Sequence, residues 1–353
     1  MASKKPSEQV KVGIIGAGIG QSHIRGYKQS PQAQIVALCD MNEERARQVA
    51  HEQNIEPQIY GDYREMIDKA GLDAVSIGLP NYLHAPVTIE CLQAGLHVLC
   101  EKPLAMNSKE AQKIADAAAK HNRKCMVGQV SRFRADSLFF KKLIEAGELG
   151  HIYYAHAVSL RKKGIPGYGG WFTNKAQSGG GPLIDIGVHL LDIAWWLAGC
   201  PQPIAVSGAT YAEFGPHGQG IGSGGAHDPK GIFDVEDLAV GLIRFANGLT
   251  INLEVSWALH TKTPHMGAHL YGTLGGLDWG PQPALFQDIN GIETVTTPDL
   301  PRLDNWAGQT AHFIHCILHD KTPDPDATQG VTMMKMLEAL YKSAATNKEV
   351  TIK

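Results

Sequence analysis

From residue 10 to residue 128 the chain repeats one unit: a short run rich in β-branched residues, a turn, then a stretch with helical spacing. Strand-like runs fall at residues 10–15, 34–39, around Ile59, 74–79, 97–100 and 124–128. Helix-compatible segments lie between them at residues 22–29, 42–53, 62–69 and 107–121, with a further one that Gly95 closes. Consecutive strands separated by helices must run parallel, with each helix crossing over the sheet, so the alternation predicts a doubly wound α/β domain. In such sheets ligands bind beyond the carboxyl ends of the strands.

The first carboxyl end carries Gly16-Ala17-Gly18-Ile19-Gly20 ahead of the first helix. A strand, a glycine turn and a helix N-terminus in that order suit a dinucleotide pyrophosphate, and a tight βα turn is the plainer alternative. The usual fingerprint places its third small residue at position 21, where this chain has Gln21, and the nearest glycine, Gly20, comes one residue early. The second strand ends in Asp40, about twenty residues beyond the glycines, where a carboxylate can bind ribose hydroxyls and repel a 2′-phosphate. Met41 and Asn42 follow it, with no arginine at either position. The expectation is therefore NAD. Later carboxyl ends carry Pro80-Asn81-Tyr82-Leu83-His84 and Glu101-Lys102-Pro103-Leu104-Ala105. Candidates for cofactor contact are Gly16, Gly18, Ile19, Gly20 and Asp40, joined by Pro80, Asn81, His84, Glu101 and Lys102. His84 also fits the first turn of a helix with no ligand. A charged pair wedged between an apolar strand and a proline makes Lys102 a candidate for contact with a reacting oxygen.

Residues 183–197 are almost wholly apolar except for Asp185, His189 and Asp192. At 3.6 residues per turn these spacings put all three on one face, and burying them unpaired would cost kilocalories each. That face must meet polar protein groups or a ligand cavity. An Asp–His pair satisfied inside a core is the alternative to a binding site.

The second half of the chain changes pattern, with longer strand-like runs at residues 152–161, 204–212, 238–246 and 249–259 after a helix at 137–146. Asn247-Gly248 joins the last two as a hairpin signal, which predicts an antiparallel sheet. Apolar residues such as Leu242, Phe245, Leu253 and Trp257 occupy both alternating sets, so one sheet face is expected to be open for a second copy. Two glycine-rich stretches, 162–181 and 213–232, are long enough to serve binding, or to be simple surface loops. Exposed aromatics at Tyr168, Trp171 and Phe172 beside Arg161, Lys162 and Lys163 would suit a sugar, which has flat apolar faces and fixed hydroxyls. Helices are expected at residues 305–319 and 328–346, with an edge strand at 350–352. The division is accordingly 1–130 for the dinucleotide domain and 131–353 for a substrate-binding and oligomerisation domain.

The glycine turn, the Glu101-Lys102-Pro103-Leu104-Ala105 segment and Asp185-Ile186-Gly187-Val188-His189, in that order and spacing, resemble the Gfo/Idh/MocA oxidoreductases, relatives of glucose–fructose oxidoreductase and inositol dehydrogenase. The resemblance runs from about Val10 onward. It implies an N-terminal Rossmann domain binding NAD or NADP, and a C-terminal α/β domain whose large, open, mostly antiparallel sheet often forms an oligomer interface. It also implies that Lys102, Asp185 and His189 are the catalytic set. Oxidation of a secondary hydroxyl on a sugar, glycoside or cyclitol would then use His189 as base, Asp185 to orient it and Lys102 to stabilise the alkoxide. Substrate contacts are expected from Lys102, Arg161, Lys163, Tyr168, Trp171, Asp185 and His189. Inositol dehydrogenation, glycosidic cleavage by transient oxidation, and a sugar-sensing regulator remain as alternatives.

A formal net charge of −3 gives no electrostatic reason to expect nucleic acid. No apolar run is long enough to span a bilayer. Residues 1–9 are polar, without the apolar core of a secretory leader, so a cytoplasmic protein is expected. The six cysteines form no C-x-x-C pair and the sixteen histidines show no H-x-x-x-H spacing, so they read as reduced thiols and no metal is expected.

Overall fold

The computed structural model describes residues 9–225 and 227–352. The polar N-terminal stretch from which the absence of a leader was read lies outside the described residues up to position 8. The chain forms two compact units, Met1–Phe133 with Leu303–Val331, and Arg134–Arg302 with Thr332–Lys353.

In the first unit β1 (Val10–Ile15), β2 (Ala33–Cys39), β3 (Gln58–Tyr60), β4 (Ala74–Ile77), β5 (His97–Glu101) and β6 (Cys125–Gly128) make one sheet in the order β3-β2-β1-β4-β5-β6. Every pairing in it is parallel. The connecting helices are α1 (Gly20–Tyr27), α2 (Glu43–Glu52), α3 (Tyr63–Lys69), α4 (Asn81–Gln93) and α5 (Ser108–His121). Asn42, Asp62 and Asn107 cap α2, α3 and α5 with their side chains, which satisfies amides that have no intrahelical partner. Strand order reverses between β1 and β4, and a dinucleotide binds at such a switch point. A helix from far along the chain, Asn305–Leu318, also belongs here, although residues 131–353 were expected to form the other domain. Its Phe313 and Ile314 share one buried cluster with Ile24 and Tyr27 of α1 and Ile14 of β1. Burial of that apolar stripe decides its allegiance, which sequence order does not encode.

The second unit holds α6 (Ala135–Glu145), β7 (Ile152–Leu160), α7 (Lys175–Ser178), α8 (Val188–Leu197), β8 (Pro203–Tyr211), β9 (Leu238–Phe245), β10 (Thr250–Ser256), β11 (His265–Gly272), β12 (Gly275–Trp279), β13 (Ala284–Ile289), β14 (Ile292–Thr296) and β15 (Val350–Thr351). The nine strands run β14-β13-β12-β11-β7-β10-β9-β8-β15, antiparallel except for β7 with β10. The Asn247-Gly248 hairpin joins β9 to β10, with Gly248 at φ +89. Strands β11 to β14 were not foreseen. The helix Asn305–Leu318 of the first unit is α9, and α10 is Ala327–Thr346.

Alternation along β9 and β10 separates the two faces more cleanly than expected. Phe245, Leu253 and Trp257 all point into the core and are buried. The opposite set, half-buried, mixes Val240 and Leu242 with Asn252 and Glu254, and continues across β7 and β11 into His156 and His269. All six cysteines are free thiols, five of them buried. Among the described residues no helix is long and apolar enough to cross a membrane, and no group of three or more His, Cys, Asp or Glu could hold a metal ion.

Candidate active site

The cofactor half is built where β1 and β4 end side by side. Gly16 has φ +96, and a Cβ there would lie 2.3 Å from the Gly78 carbonyl oxygen, so only glycine lets the turn close against the end of β4. Gly78, which sequence reasoning passed over, is the reciprocal requirement: a Cβ on it would meet Ile19 Cγ2 at 2.6 Å. Its signal was a glycine at the end of an apolar strand. Gly20 opens α1, and a Cβ on it would meet Ile14 Cγ2 at 2.7 Å. Close helix–strand packing, normally the task of the fingerprint's third glycine, is therefore done one residue early, and Gln21 lies inside the helix.

Asp40 stands beside this turn, half-exposed. Its Oδ2 accepts from the Ala17 amide at 2.9 Å and its Oδ1 from the Asn42 amide at 3.0 Å. A carboxylate has about four acceptor positions, so lone pairs remain for ribose hydroxyls. Gly18 has ordinary φ, and the atom nearest to a Cβ built there is the Arg45 guanidinium at 3.3 Å, a flexible neighbour. The open floor at Gly18, the helix start at Gly20 and the carboxylate at Asp40 fit an adenine dinucleotide.

The β5 end holds Lys102 between two buried supports. Glu101 is buried; its Oε1 lies 2.9 Å from Nε2 of the fully buried His23, and its Oε2 accepts from the Lys102 amide at 3.2 Å. Glu101 thus acts on the backbone of Lys102, where contact with a cofactor was expected. The His84 side chain is likewise turned to protein backbone. It is buried on α4, with Nδ1 2.6 Å from the Pro103 carbonyl oxygen and Nε2 2.8 Å from that of Leu79, so both nitrogens face protein backbone. Burial works to lower its pKa, but the Cys100 side chain and the two carbonyls outweigh it and push it up to about 9. Pro80 caps α4 and Asn81 opens it at the carboxyl end of β4.

In the second unit the helix carrying Asp185 and His189 is irregular. Leu183–Gly187 form a π-turn that runs into α8, so the uniform 3.6-residue spacing assumed for the stripe does not hold across it. Asp192 is turned into the core. From position 181 to position 197 every residue is buried except Asp185 and His189. The start of this segment is anchored by Glu236, a buried carboxylate that accepts from the amides of Gly181 (2.9 Å) and Leu183 (3.1 Å) and from the Tyr341 hydroxyl (2.9 Å). Burial raises its pKa, and those hydrogen bonds oppose the rise. On the core side the indole N–H of Trp257 donates to Asp185 Oδ2 at 3.0 Å. Neither Glu236 nor Trp257 was foreseen in these roles, because their partners lie 53 or more residues away.

The two glycine-rich stretches hold each other. Gly164 and Ile165 amides donate to the Gly220 carbonyl, and Gly167 to that of Gly224. Tyr168 is buried between them, its hydroxyl donating to the Gly215 carbonyl at 3.0 Å and its ring stacked on Phe233. It was expected as an exposed sugar contact and instead ties loop to loop. Asp237 secures the second stretch by accepting from the Phe214 and Gly215 amides. Trp171 and Phe172 are half-buried and stacked on each other, ring centroids 3.8 Å apart. The Arg161 amide donates to the Ser256 hydroxyl, and Lys163 is exposed.

Residues 10–129 match the GFO/IDH/MocA oxidoreductase family, NAD-binding Rossmann fold, and residues 138–278 match the C-terminal domain of the same family. The chain is 32% identical over 356 residues to the D-glucoside 3-dehydrogenase of Escherichia coli strain K12, covering 100% of both. It is 30% identical over 290 residues to a levoglucosan dehydrogenase of Pseudarthrobacter phenanthrenivorans, 76% of this chain and 73% of that one. A solved levoglucosan dehydrogenase in complex with NADH and levoglucosan superposes with a TM-score of 0.87 at 25% identity, covering 98% of this chain and 100% of the other.

Proposed function

Because the chain belongs to the GFO/IDH/MocA oxidoreductase family, we propose that it is an NAD-dependent dehydrogenase that oxidises a ring hydroxyl of a glucoside-like sugar to the ketone. The observation that carries this reading is that Asp185 and His189 alone are only half-buried in an otherwise buried segment of 17 residues, positions 181 to 197. A satisfied core pair would have no reason to face outward. Full-length similarity to a D-glucoside 3-dehydrogenase supports a glycoside over a cyclitol.

We assign cofactor binding to residues 1–130 and substrate binding and assembly to residues 131–353, apart from the stretch Leu303–Val331 that packs with the first unit. NAD, when bound along Gly16, Gly18, Gly20 and Asp40, supplies the hydride acceptor. His189 takes the hydroxyl proton as general base, since imidazole titrates close to neutral pH. Asp185, held by Trp257, orients the imidazole and favours its protonated form. The Lys102 ammonium stabilises the alkoxide as charge develops on oxygen. Trp171 offers an apolar plane to the sugar ring, with Arg161 and Lys163 beside it. Half-buried Val240, Leu242 and the stacked Tyr154–Tyr271 pair on the open sheet face support assembly into a homodimer or homotetramer. Light scattering at micromolar concentration reads that state, and a monomer would refute it. Six free cysteines support a cytoplasmic location.

The test is NADH formation against a panel of methyl glycosides, free sugars and inositols. Turnover of a glycoside with loss of at least a hundredfold in kcat for His189→Ala is expected. Turnover of inositols alone would make the protein a cyclitol dehydrogenase. Glycoside cleavage without accumulating NADH would indicate transient oxidation. Sugar binding without turnover of any substrate would leave a regulator.

A further inference from the structure

We infer that His84 is a positioning residue for Lys102, a doubly donating imidazolium that ties the carboxyl ends of β4 and β5 together. The inference rests on the proposed role of Lys102 in hydride transfer.

A carbonyl oxygen has no proton to give. His84 Nδ1 faces the Pro103 carbonyl at 2.6 Å and Nε2 faces the Leu79 carbonyl at 2.8 Å, so each nitrogen must bring its own hydrogen. Neutral imidazole has only one N–H. It would leave a lone pair against a carbonyl oxygen inside a fully buried site, whereas the imidazolium satisfies both, at the short distances of charge-assisted bonds. The groups facing the ring are the Cys100 side chain on β5 and these two carbonyls, with Cys91 on α4 standing near Cys100. A folded-state pKa of about 9 agrees with this geometry.

The two carbonyls are not arbitrary. Leu79 lies two residues beyond the end of β4, just before Pro80 and Asn81, and Pro103 follows Lys102 directly. A cation bonded to both fixes the Lys102 backbone relative to the strand end at the switch point of the sheet. The Glu101 carboxylate holds the Lys102 amide at the same time. Deprotonation of His84 removes one of these ties without touching the lysine's own charge.

Histidine labelled with nitrogen-15 in the NAD-bound protein provides the direct test. A ring with both nitrogens protonated at pH 8, titrating near 9 and absent from His84→Gln, is expected; a neutral His84 ring at pH 8 overturns the inference. In kinetics, His84→Gln should lower kcat by roughly tenfold to a hundredfold, the size of effect that a small misplacement produces, with KM and NAD affinity changed much less. A wild-type kcat in that variant also overturns it. Should His84→Gln not fold, the pH profile carries the kinetic arm: kcat of the unmodified protein is expected to fall through about pH 9 as His84 deprotonates, and because guanidinium stays charged that fall must also appear in Lys102→Arg; its absence from either refutes the link. If Lys102→Ala keeps full kcat, the role of Lys102 fails, while the labelled spectra still report the state of His84.

Discussion

Trp257, fully buried, donates its indole N–H to Asp185 Oδ2 at 3.0 Å across 72 residues of sequence. The aspartate is thereby fixed from the core side while its residue remains half-exposed on the other. Trp257→Phe keeps an aromatic plug and removes only the donor. A charged acceptor that loses a buried donor costs about 1–3 kcal/mol, and kcat should fall roughly tenfold. Asp185→Asn, with Trp257→Phe added to it, should be less than additive in ΔΔG‡, because both act on one hydrogen bond. Full additivity in steady-state kinetics would show that the bond does not serve catalysis.

Gly16 and Gly18 should fail in different ways. Gly16→Ala must strain a φ of +96 and clash with the Gly78 carbonyl, so it should lower the melting temperature markedly. At Gly18 the nearest atom to a new Cβ belongs to a flexible arginine, so Gly18→Ala should fold normally and weaken NAD binding tenfold or more by lifting the pyrophosphate off the turn. Thermal melting and NAD titration on both variants check the contrast. Equal melting losses would contradict it.

Cofactor preference should follow Asp40. Its carboxylate would repel a 2′-phosphate, so catalytic efficiency with NAD should exceed that with NADP by at least about tenfold. Parity between the two would point to the Arg45 guanidinium, which already lies beside Gly18, as a 2′-phosphate ligand. Loss of NADP activity in Arg45→Ala would then identify it.

His97 should make the first unit acid-sensitive. Burial, then the charges of Arg123 and Lys124, lower its pKa to about 4, and its Nδ1 accepts from the Lys124 amide at 2.9 Å. The folded protein therefore favours the neutral ring, while the unfolded chain protonates near 6.5. Its contribution to stability is fully present above pH 6.5 and is lost as pH falls from there through about 4. His97→Asn, which retains an acceptor, should flatten that part of the stability curve in urea unfolding. An unchanged slope would remove His97 as its origin.

The alternation of strands and helices in residues 10–128 was legible because the central strands β1, β4, β5 and β6 are almost wholly buried and α2, α3 and α5 are capped locally by Asn42, Asp62 and Asn107. Both signals lie within a few residues of sequence. Strands β11 to β14 were not legible, since Gly267, Gly272, Gly275 and Gly276 dilute the apolar alternation in β11 and β12, β13 and β14 are largely exposed, and partners, not propensities, hold all four in the sheet. At the candidate site the residue types and spacing of Lys102, Asp185 and His189 could be read directly. The π-turn could not, because an i→i+5 bond leaves no residue signature. Tyr168 was misjudged for a related reason: its burial depends on residues 213–233, remote in sequence.

The sequence by itself determined the parallel sheet, the glycine turn with its acidic partner at Asp40, and the places of Lys102, Asp185 and His189 along the chain. These depend on covalent order and on contacts within a turn or a strand. Only the tertiary structure decided that Asp185 and His189 stay half-exposed while Asp192 is buried, that Trp257 and Glu236 hold that segment, and that His84 serves the backbone around Lys102. Each of those outcomes is set by desolvation and by hydrogen-bond partners that folding brings together, and neither quantity exists until the chain has closed upon itself.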